Sequence, residues 1–365
     1  MGRMDLFKND INFVTDDLKG FIEKNDLPET KVKNFTSRIK YALLLGFKEK
    51  EIFFFGLIQW LAILLAYLLW VQMLHWIPQD VWDTVARCQE NNDNWAEECS
   101  LIADIPLLLW SFVCITLAAF PIGIFSCAMG VTHFLHKQNK KSTFHKCLNA
   151  SFSNAWSIWK FHVVDSIITV EQIISRLPDE DDHRTAADIA LSETIYYSWK
   201  LGTAGMIPAL ALGNKLIDSG KSSVKFVKSQ FLEIAKLRSA YSLMCWIVGI
   251  SAYVGSAIFI FLYGEFYTTS GNLAVASFYT NLIVPLAIAI GLVIMLLRPI
   301  YVLTICDLYS DYLDENEQEA ILPNDPSMGR SALITFILIC LIVLCIALFR
   351  DEMGLTSMLS NTALN

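Results

Sequence analysis

Charged side chains are missing from five long apolar stretches of this chain, and this absence indicates its broad class. The stretches are Ile52–Val71, Ile105–Val131, Leu243–Tyr263, Leu273–Leu297 and Ser331–Phe349. The chain is 54% hydrophobic and has a mean hydropathy of +0.44. About twenty residues of helix cross the roughly 30 Å hydrocarbon core of a bilayer. The sequence therefore predicts an all-α membrane protein with about five transmembrane helices, together with amphipathic or re-entrant helices on the cytosolic side.

The sequence motifs of common enzyme classes are also missing. There is no P-loop, no Gly-x-Ser-x-Gly, no His-Glu-x-x-His and no Gly-x-Gly-x-x-Gly in a suitable setting. No two of the nine cysteines form a Cys-x-x-Cys pair, so the cysteine spacing does not predict a zinc or iron–sulfur site. The first fifty residues have no apolar signal-peptide region. We therefore expect no catalytic activity, no metal, no cofactor and no cleavable signal peptide.

Basic residues are concentrated in alternate segments between the apolar stretches. Residues 1–51 carry 10 Lys and Arg, residues 77–104 carry one, residues 132–242 carry 14, and residues 264–272 carry none. Cytosolic loops of membrane proteins are the ones enriched in Lys and Arg. This distribution predicts a cytoplasmic N-terminus and, after five crossings, a C-terminus outside.

The same pattern divides the chain into six regions. They are a cytosolic amphipathic region at 1–50, a first membrane hairpin at 51–131 with an outer loop at 77–104, a basic cytosolic-side region with interfacial or re-entrant segments at 132–242, a second membrane hairpin at 243–309, an acidic cytosolic loop at 310–330, and a final transmembrane helix with a short outer tail at 331–365.

Two amphipathic patterns precede the first apolar stretch. One covers residues 1–26, and in the next Phe35, Ile39 and Leu43 share one helical face with basic residues around it. Such helices bind membrane surfaces that contain anionic lipid. Packing on the cytosolic ends of the spans is the alternative interpretation.

Two cysteines, Cys88 and Cys99, share the loop that we expect outside, where conditions are oxidising. A disulfide between them would close a loop of about a dozen residues and stabilise the protein by roughly 3 kcal/mol. Two unpaired thiols are the alternative.

Within the stretch 186–229, the run Leu201–Gly213 is too apolar for a soluble loop and too short and interrupted for an ordinary span. We expect it to enter the membrane as a re-entrant segment that the other helices cover. A helix broken there offers unpaired backbone N–H groups to an anion or a polar solute, while close helix packing is the alternative interpretation. The residues of this possible pathway are Trp199, Lys200, Gly202, Thr203, Gly205 and Pro208.

Ionisable residues recur in the segment 156–174, which lipid would not tolerate, so we expect it to be interfacial or buried in protein. His162 and Asp165 are three residues apart on one helical face, and Glu171 follows further along. A histidine with carboxylates can handle protons or bind a metal. The alternative is a hydrogen-bonded pair with a purely structural role.

The run Ser198-Trp-Lys-Leu-Gly-Thr-Ala-Gly-Met-Ile-Pro208 is followed by Gly220 and the segment Ser222–Ser229. With these motifs, residues from about 105 to 240 resemble an uncharacterised family of bacterial multispan inner-membrane proteins. The resemblance implies a multi-pass architecture and the inner membrane of a bacterium, and it implies no particular activity.

Two functional hypotheses follow. The first is a non-catalytic subunit or scaffold of a membrane assembly, which binds other membrane or cytosolic proteins or a second copy of the chain. The alternative is a small channel or permease with a pathway around Trp199–Gly213. The lipid bilayer is an expected partner, and nucleic acid is not, because membrane orientation already accounts for the basic residues.

Overall fold

The computed structural model of the protein describes residues 35–74, 96–174, 186–263, 284–323 and 327–349. These residues are almost entirely α-helical, and no β-strand occurs in those five ranges. The predicted amphipathic helix over residues 1–26 and the predicted Cys88–Cys99 disulfide lie outside what the structure describes.

The helices of the described ranges are numbered here in chain order. They are α1 Phe35–Lys48, α2 Lys50–Leu74, α3 Ala96–Lys137, α4 Phe144–Phe152, α5 Ala155–Ile174, α6 Ala186–Gly202, α7 Met206–Ala211, α8 Leu216–Ser229, α9 Phe231–Tyr263, α10 Val284–Glu315 and α11 Ser327–Phe349.

Four helices of the described ranges are long and apolar enough to cross a membrane. Their segments are Lys50–Val71 of α2, Leu109–Lys137 of α3, Phe231–Ile260 of α9 and Val284–Glu315 of α10. A shorter apolar stretch, Arg330–Cys345, belongs to α11. All of α11 comprises 23 residues, and a helix of that size is about 35 Å long. The predicted all-α membrane architecture is therefore confirmed, with four or five helices able to cross.

Helix α3 is the centre of the bundle and packs against α2, α4, α5, α7, α10 and α11. Its inward side chains, such as Cys127 and Met129, have no solvent exposure. Gly123 marks the closest approach of α5: a Cβ atom at this position would lie 2.5 Å from Cδ2 of His162 and 2.8 Å from Cγ2 of Ile158. Small residues at such contacts let membrane helices approach closely. The position of α5 therefore depends on the missing side chain at residue 123.

The apolar stretch of the sequence ends at Leu297, but helix α10 continues well beyond it. A π-helical turn at Val293–Leu297 joins directly to a helix that ends at Glu315. Such a turn rearranges the backbone hydrogen bonds, and Pro299, which has no N–H, follows immediately. Residues after it such as Leu303 are buried against neighbouring helices. The expected acidic loop from residue 310 is therefore still helical at its start.

Helix α1 packs onto α10 through ion pairs. The guanidinium of Arg38 lies 2.6 Å from Asp307 and 2.7 Å from Asp311. Its side chain is therefore turned inward, beside the buried Leu45, whereas Leu43 of the predicted apolar face is 38% exposed. The face of α1 that is turned inward therefore differs from the predicted one, because a guanidinium that pairs with two carboxylates can be buried. Packing against the spans is observed for one side of α1, and its other side remains apolar and exposed.

Replacing Gly123 with alanine is expected to destabilise the protein, because the added methyl group must displace His162 and Ile158. Overpacking of this kind costs about 1–3 kcal/mol, and the higher helix propensity of alanine offsets about 1 kcal/mol of it. The measurement is the midpoint of thermal unfolding of the purified protein in a mild detergent. Gly220→Ala is the control, because a Cβ atom at this helical position meets nothing within 4 Å. Equal midpoints for the two variants would contradict the close contact of α3 and α5.

Candidate functional site

A cavity of about 750 Å³ lies between α5, α6, α9 and α10. Its volume falls within the range of about 300–1,000 Å³ that is usual for small-molecule sites. The charged residues that line it are Asp165, Lys200, Arg238 and Arg298, and His162 lies beside them. Three cations and one carboxylate give the described lining a net charge of +2 when His162 is neutral. We call this space the cationic cavity.

An ion pair between α5 and α6 forms one side of the cationic cavity. Nζ of Lys200 donates to Oδ1 of Asp165 at 2.6 Å, and Nε1 of Trp199 donates to the same oxygen at 3.1 Å. Burial alone would raise the pKa of Asp165, but Lys200 and His162 hold it below its ordinary value. Burial lowers the pKa of Lys200, and Asp165 offsets this in part. The pair therefore neutralises one of the three cations.

His162 lies behind this pair, against Gly123 of α3. It is 2% exposed, and its Nε2 atom has no hydrogen-bond partner among the described residues. The pKa of His162 is lowered to about 3, mainly by burial. The carboxylate of Asp165 acts to raise this pKa, and the positive charges of Arg298 and Lys200 act to lower it. The imidazole is therefore neutral near pH 7, and its Nε2 atom is buried.

Arg298 is held by a chain of hydrogen bonds that does not neutralise it. Its Nη2 atom donates to Oγ of Ser126 at 3.0 Å. The same oxygen accepts a hydrogen bond from Nε2 of Gln59 at 2.9 Å and donates to the carbonyl of Ile122 at 2.7 Å. The Nε atom of Arg298 is buried and has no partner within the described ranges. Ser126 therefore orients the guanidinium while its positive charge remains available.

Arg238 completes the cationic cavity from α9. It lines this space together with Tyr241 and Tyr301. The ring of Tyr301 packs against that of Tyr241, with 4.7 Å between the ring centres. Both tyrosines thus have defined positions on the wall of the cationic cavity.

The structure brings most of the predicted site residues to this place. Those that line the cationic cavity are His162, Asp165, Lys200 and Thr203. Trp199 contributes through its hydrogen bond to Asp165. Glu171 is exposed on α5 and does not belong to the lining. Within the described ranges, no group of three His, Cys, Asp or Glu side chains is arranged to hold a metal ion.

The break between α6 and α7 does not offer the unpaired N–H groups that the sequence predicts. Ser223 of α8 closes it, because its Oγ atom accepts from the N–H of Gly205 at 3.0 Å and donates to the carbonyl of Gly202 at 2.7 Å. Gly202, Gly205 and Pro208 are buried among neighbouring helices. The expectation of an anion site on this backbone is therefore wrong at Gly205, and the alternative of close packing describes the segment. Whether it lies within the bilayer stays a prediction.

The sequence patterns do not single out two arginines that line the cationic cavity. Arg238 precedes the apolar stretch that begins at Leu243, and Arg298 follows the one that ends at Leu297. Basic residues at the ends of spans usually reflect the orientation of a protein in the membrane, so they do not by themselves indicate a site. Their position at the ends of two consecutive apolar stretches is the sequence signal that could have identified them as neighbours.

Comparison with models of known protein families, with curated proteins and with solved structures finds no match to this chain. The resemblance of residues 105–240 to a bacterial multispan family therefore stays a prediction. Functional inference rests on the geometry and charge of the cationic cavity.

Replacing His162 with glutamine is expected to reduce the loss of stability at acidic pH. The pKa of His162 is about 3 in the folded protein and about 6.5 in an unfolded chain. Between these values the unfolded state binds the extra proton, and the free energy of unfolding falls as the pH drops below about 6.5. The contribution of one such group is up to about 1.4 kcal/mol per pH unit.

The measurement is the midpoint of thermal unfolding of the wild type and His162→Gln between about pH 7 and about pH 4.5, a range chosen to lie below the unfolded-state pKa. His145→Gln is the control, because His145 is exposed, and it should keep the wild-type dependence on pH. Parallel curves for the wild type and His162→Gln would show that His162 is not buried in its neutral form.

Proposed function

We propose that this protein is a multi-pass protein of a bacterial inner membrane that binds an anionic solute in the cationic cavity. In this proposal it acts as a small channel or permease, with its N-terminus in the cytoplasm and its C-terminus outside. Lys200 and Thr203 of the pathway that the sequence predicts are part of the site. This reading now has better support than a purely structural subunit, because the described residues provide a place for a ligand.

The observation that carries the proposal is the excess of positive charge among the lining residues. Asp165 pairs with Lys200 at 2.6 Å, whereas the hydrogen bond of Arg298 among the described residues is with the hydroxyl of Ser126. A buried charge without an oppositely charged partner is expensive, so a protein that keeps one usually uses it. Guanidinium groups bind carboxylates and phosphates through two parallel hydrogen bonds. An anion is therefore the ligand class that the site favours.

The location of the cationic cavity supports access from one side of the membrane. Arg238 and Arg298 lie where the apolar parts of α9 and α10 meet their polar parts. This boundary corresponds to the level of the lipid head groups. The distribution of Lys and Arg along the chain predicts that this side faces the cytosol. An anion in the cytoplasm would thus reach the site without crossing the hydrocarbon core.

Inorganic phosphate is expected to bind the purified protein and to raise its midpoint of thermal unfolding, because a ligand that binds only the folded state stabilises it. Arg238→Gln and Arg298→Gln should each weaken this binding by about tenfold or more, the usual effect of removing a charge-assisted hydrogen bond. Lys160→Gln is the matched control, since Lys160 is exposed on α5 and outside the lining. Uptake of phosphate into proteoliposomes by the wild type and Lys160→Gln, but not by Arg238→Gln, is the expected result for transport.

Two results would contradict the proposal. One is a wild-type protein that phosphate, sulfate and acetate all fail to stabilise. The other is an Arg238→Gln variant that responds to these anions as the wild type does. Binding of phosphate without its uptake would support the anion site and contradict the proposed transport.

A second candidate function, a subunit or scaffold of a membrane assembly, is favoured by the surface of α9. No residue in the most apolar part of its segment Phe231–Ile260 is buried within the described chain. Trp246 and Phe259 are 64% and 62% exposed. Ser251 and Gly255 follow on one face at a spacing of four, the pattern by which membrane helices pair. This surface suits a helix of a second copy or of another membrane protein.

Replacing Gly255 with isoleucine is expected to dissociate such an assembly, because a branched side chain keeps two helix backbones apart. The measurement is the number of chains per particle in lipid nanodiscs, determined by stepwise photobleaching of a single label. Gly220→Ile is the control, since its Cβ position on α8 is equally open. A wild-type protein that is a single chain in nanodiscs would contradict self-association through α9.

A further inference from the structure

We infer that the anion is the phosphate head group of an amphiphilic lipid, whose acyl chain lies in an apolar groove beside the cationic cavity. This inference rests on the proposed function and specifies the class of ligand. Three features of the described residues lead to it: the groove itself, the wall that it shares with the cationic cavity, and the balance of charge.

The groove has a volume of about 580 Å³ and lies between α1 and α2 on one side and α9 and α10 on the other. All its lining side chains are apolar except those of Lys50, Tyr241 and Tyr301. Phe47 at its rim is 80% exposed and Met244 is 46% exposed. Its open side is therefore apolar, as an entrance from the lipid requires. An apolar space of this kind does not attract water, so a hydrocarbon chain is the occupant that suits it.

The groove and the cationic cavity share a wall. Tyr241 and Tyr301 line both spaces, and their rings pack with 4.7 Å between centres. Tyrosine has an apolar ring and a polar hydroxyl, which suits a boundary between an apolar and a wet environment. On the cavity side, Arg238 lines the same space as the two tyrosines. A polar site and an apolar site are thus adjacent, in the order that the head and the tail of an amphiphile need.

The balance of charge favours a phosphate monoester as the head group. The lining of the cationic cavity carries +2 when His162 is neutral, and a phosphate monoester carries about −1.5 to −2 near pH 7. Lys50, at the side of the groove, adds positive charge nearby. A carboxylate, with one negative charge, would leave more of this charge uncompensated.

The apolar part of the cationic cavity is the reason for choosing a lipid over free phosphate. Leu243 and Trp246 belong to its lining and are 61% and 64% exposed. Both are on the exposed surface of α9, so the cavity is continuous with apolar surface rather than enclosed by polar groups. An amphiphile dissolved in the bilayer is also concentrated at the level of its head group, which raises its effective concentration at the site.

The test compares three probes on the full chain in micelles of an uncharged detergent, with binding measured by native mass spectrometry. Oleoyl lysophosphatidate has both the phosphate and the chain. Glycerol 3-phosphate has the same head group without the chain, and monooleoylglycerol has the same chain without the charge. We expect lysophosphatidate to bind at least about tenfold more tightly than either of the other two, because only it occupies both sites.

Two substitutions separate the sites. Gly46 lines the groove, and its Cβ position is open, so Gly46→Trp fills the groove without a clash at Cβ. This variant should weaken lysophosphatidate binding by about tenfold and leave glycerol 3-phosphate unchanged. Gly220→Trp, at an equally open position outside the groove, is its control. Arg238→Gln should weaken both phosphate probes and leave monooleoylglycerol unchanged.

The failures of the two proposals are distinguishable. If glycerol 3-phosphate or inorganic phosphate binds in an Arg238-dependent way but the chain adds nothing, the anion site stands and the lipid inference is overturned. Equal binding of monooleoylglycerol and lysophosphatidate would overturn the role of the head group. Unchanged lysophosphatidate binding by Gly46→Trp would overturn the groove as the place of the chain. If no phosphate probe binds, the anion site and the lipid inference both fail.

Discussion

A polar atom inside a helix bundle that is surrounded by lipid has no water to bind, and this constraint organises the described structure. Ser126 shows it most directly, because one hydroxyl serves Gln59, Arg298 and a backbone carbonyl at once. The ion pair of Asp165 and Lys200 meets the same need for two charges. The constraint is not met everywhere among the described residues. Nε of Arg298 and Nε2 of His162 lack a partner, and so do buried atoms away from the cationic cavity, such as both ring nitrogens of His133 and Oε1 of Gln59.

The backbone that carries these groups is positioned by close helix contacts. Gly123 lets α5 lie against α3, which places His162 and, one turn further along, Asp165. The π-helical turn of α10 directly precedes Arg298 and accommodates the missing N–H of Pro299. The site is thus built on helices rather than loops, and its side chains have little freedom to rearrange.

The membrane-crossing helices could be predicted from the sequence because their signal is local: an uncharged apolar run of sufficient length is visible in the run itself. His162 and Asp165 could be placed on one face for the same reason. The failures are all non-local. The inward face of α1 is set by Arg38, whose partners Asp307 and Asp311 are far along the chain. The break after Gly202 is closed by Ser223, and nothing in the sequence near the break indicates this.

The arrangement of Asp165 bears on why we propose a doubly charged ligand for the cationic cavity. Three cations without a carboxylate would repel one another strongly in a medium of low dielectric constant. Asp165 removes one charge by pairing with Lys200, and it does so from α5, opposite the two arginines of α9 and α10. The remaining positive charge has no carboxylate partner among the described lining residues. A ligand with nearly two negative charges would therefore gain most by binding, and binding would stabilise the contacts of α9 and α10 with α5 and α6.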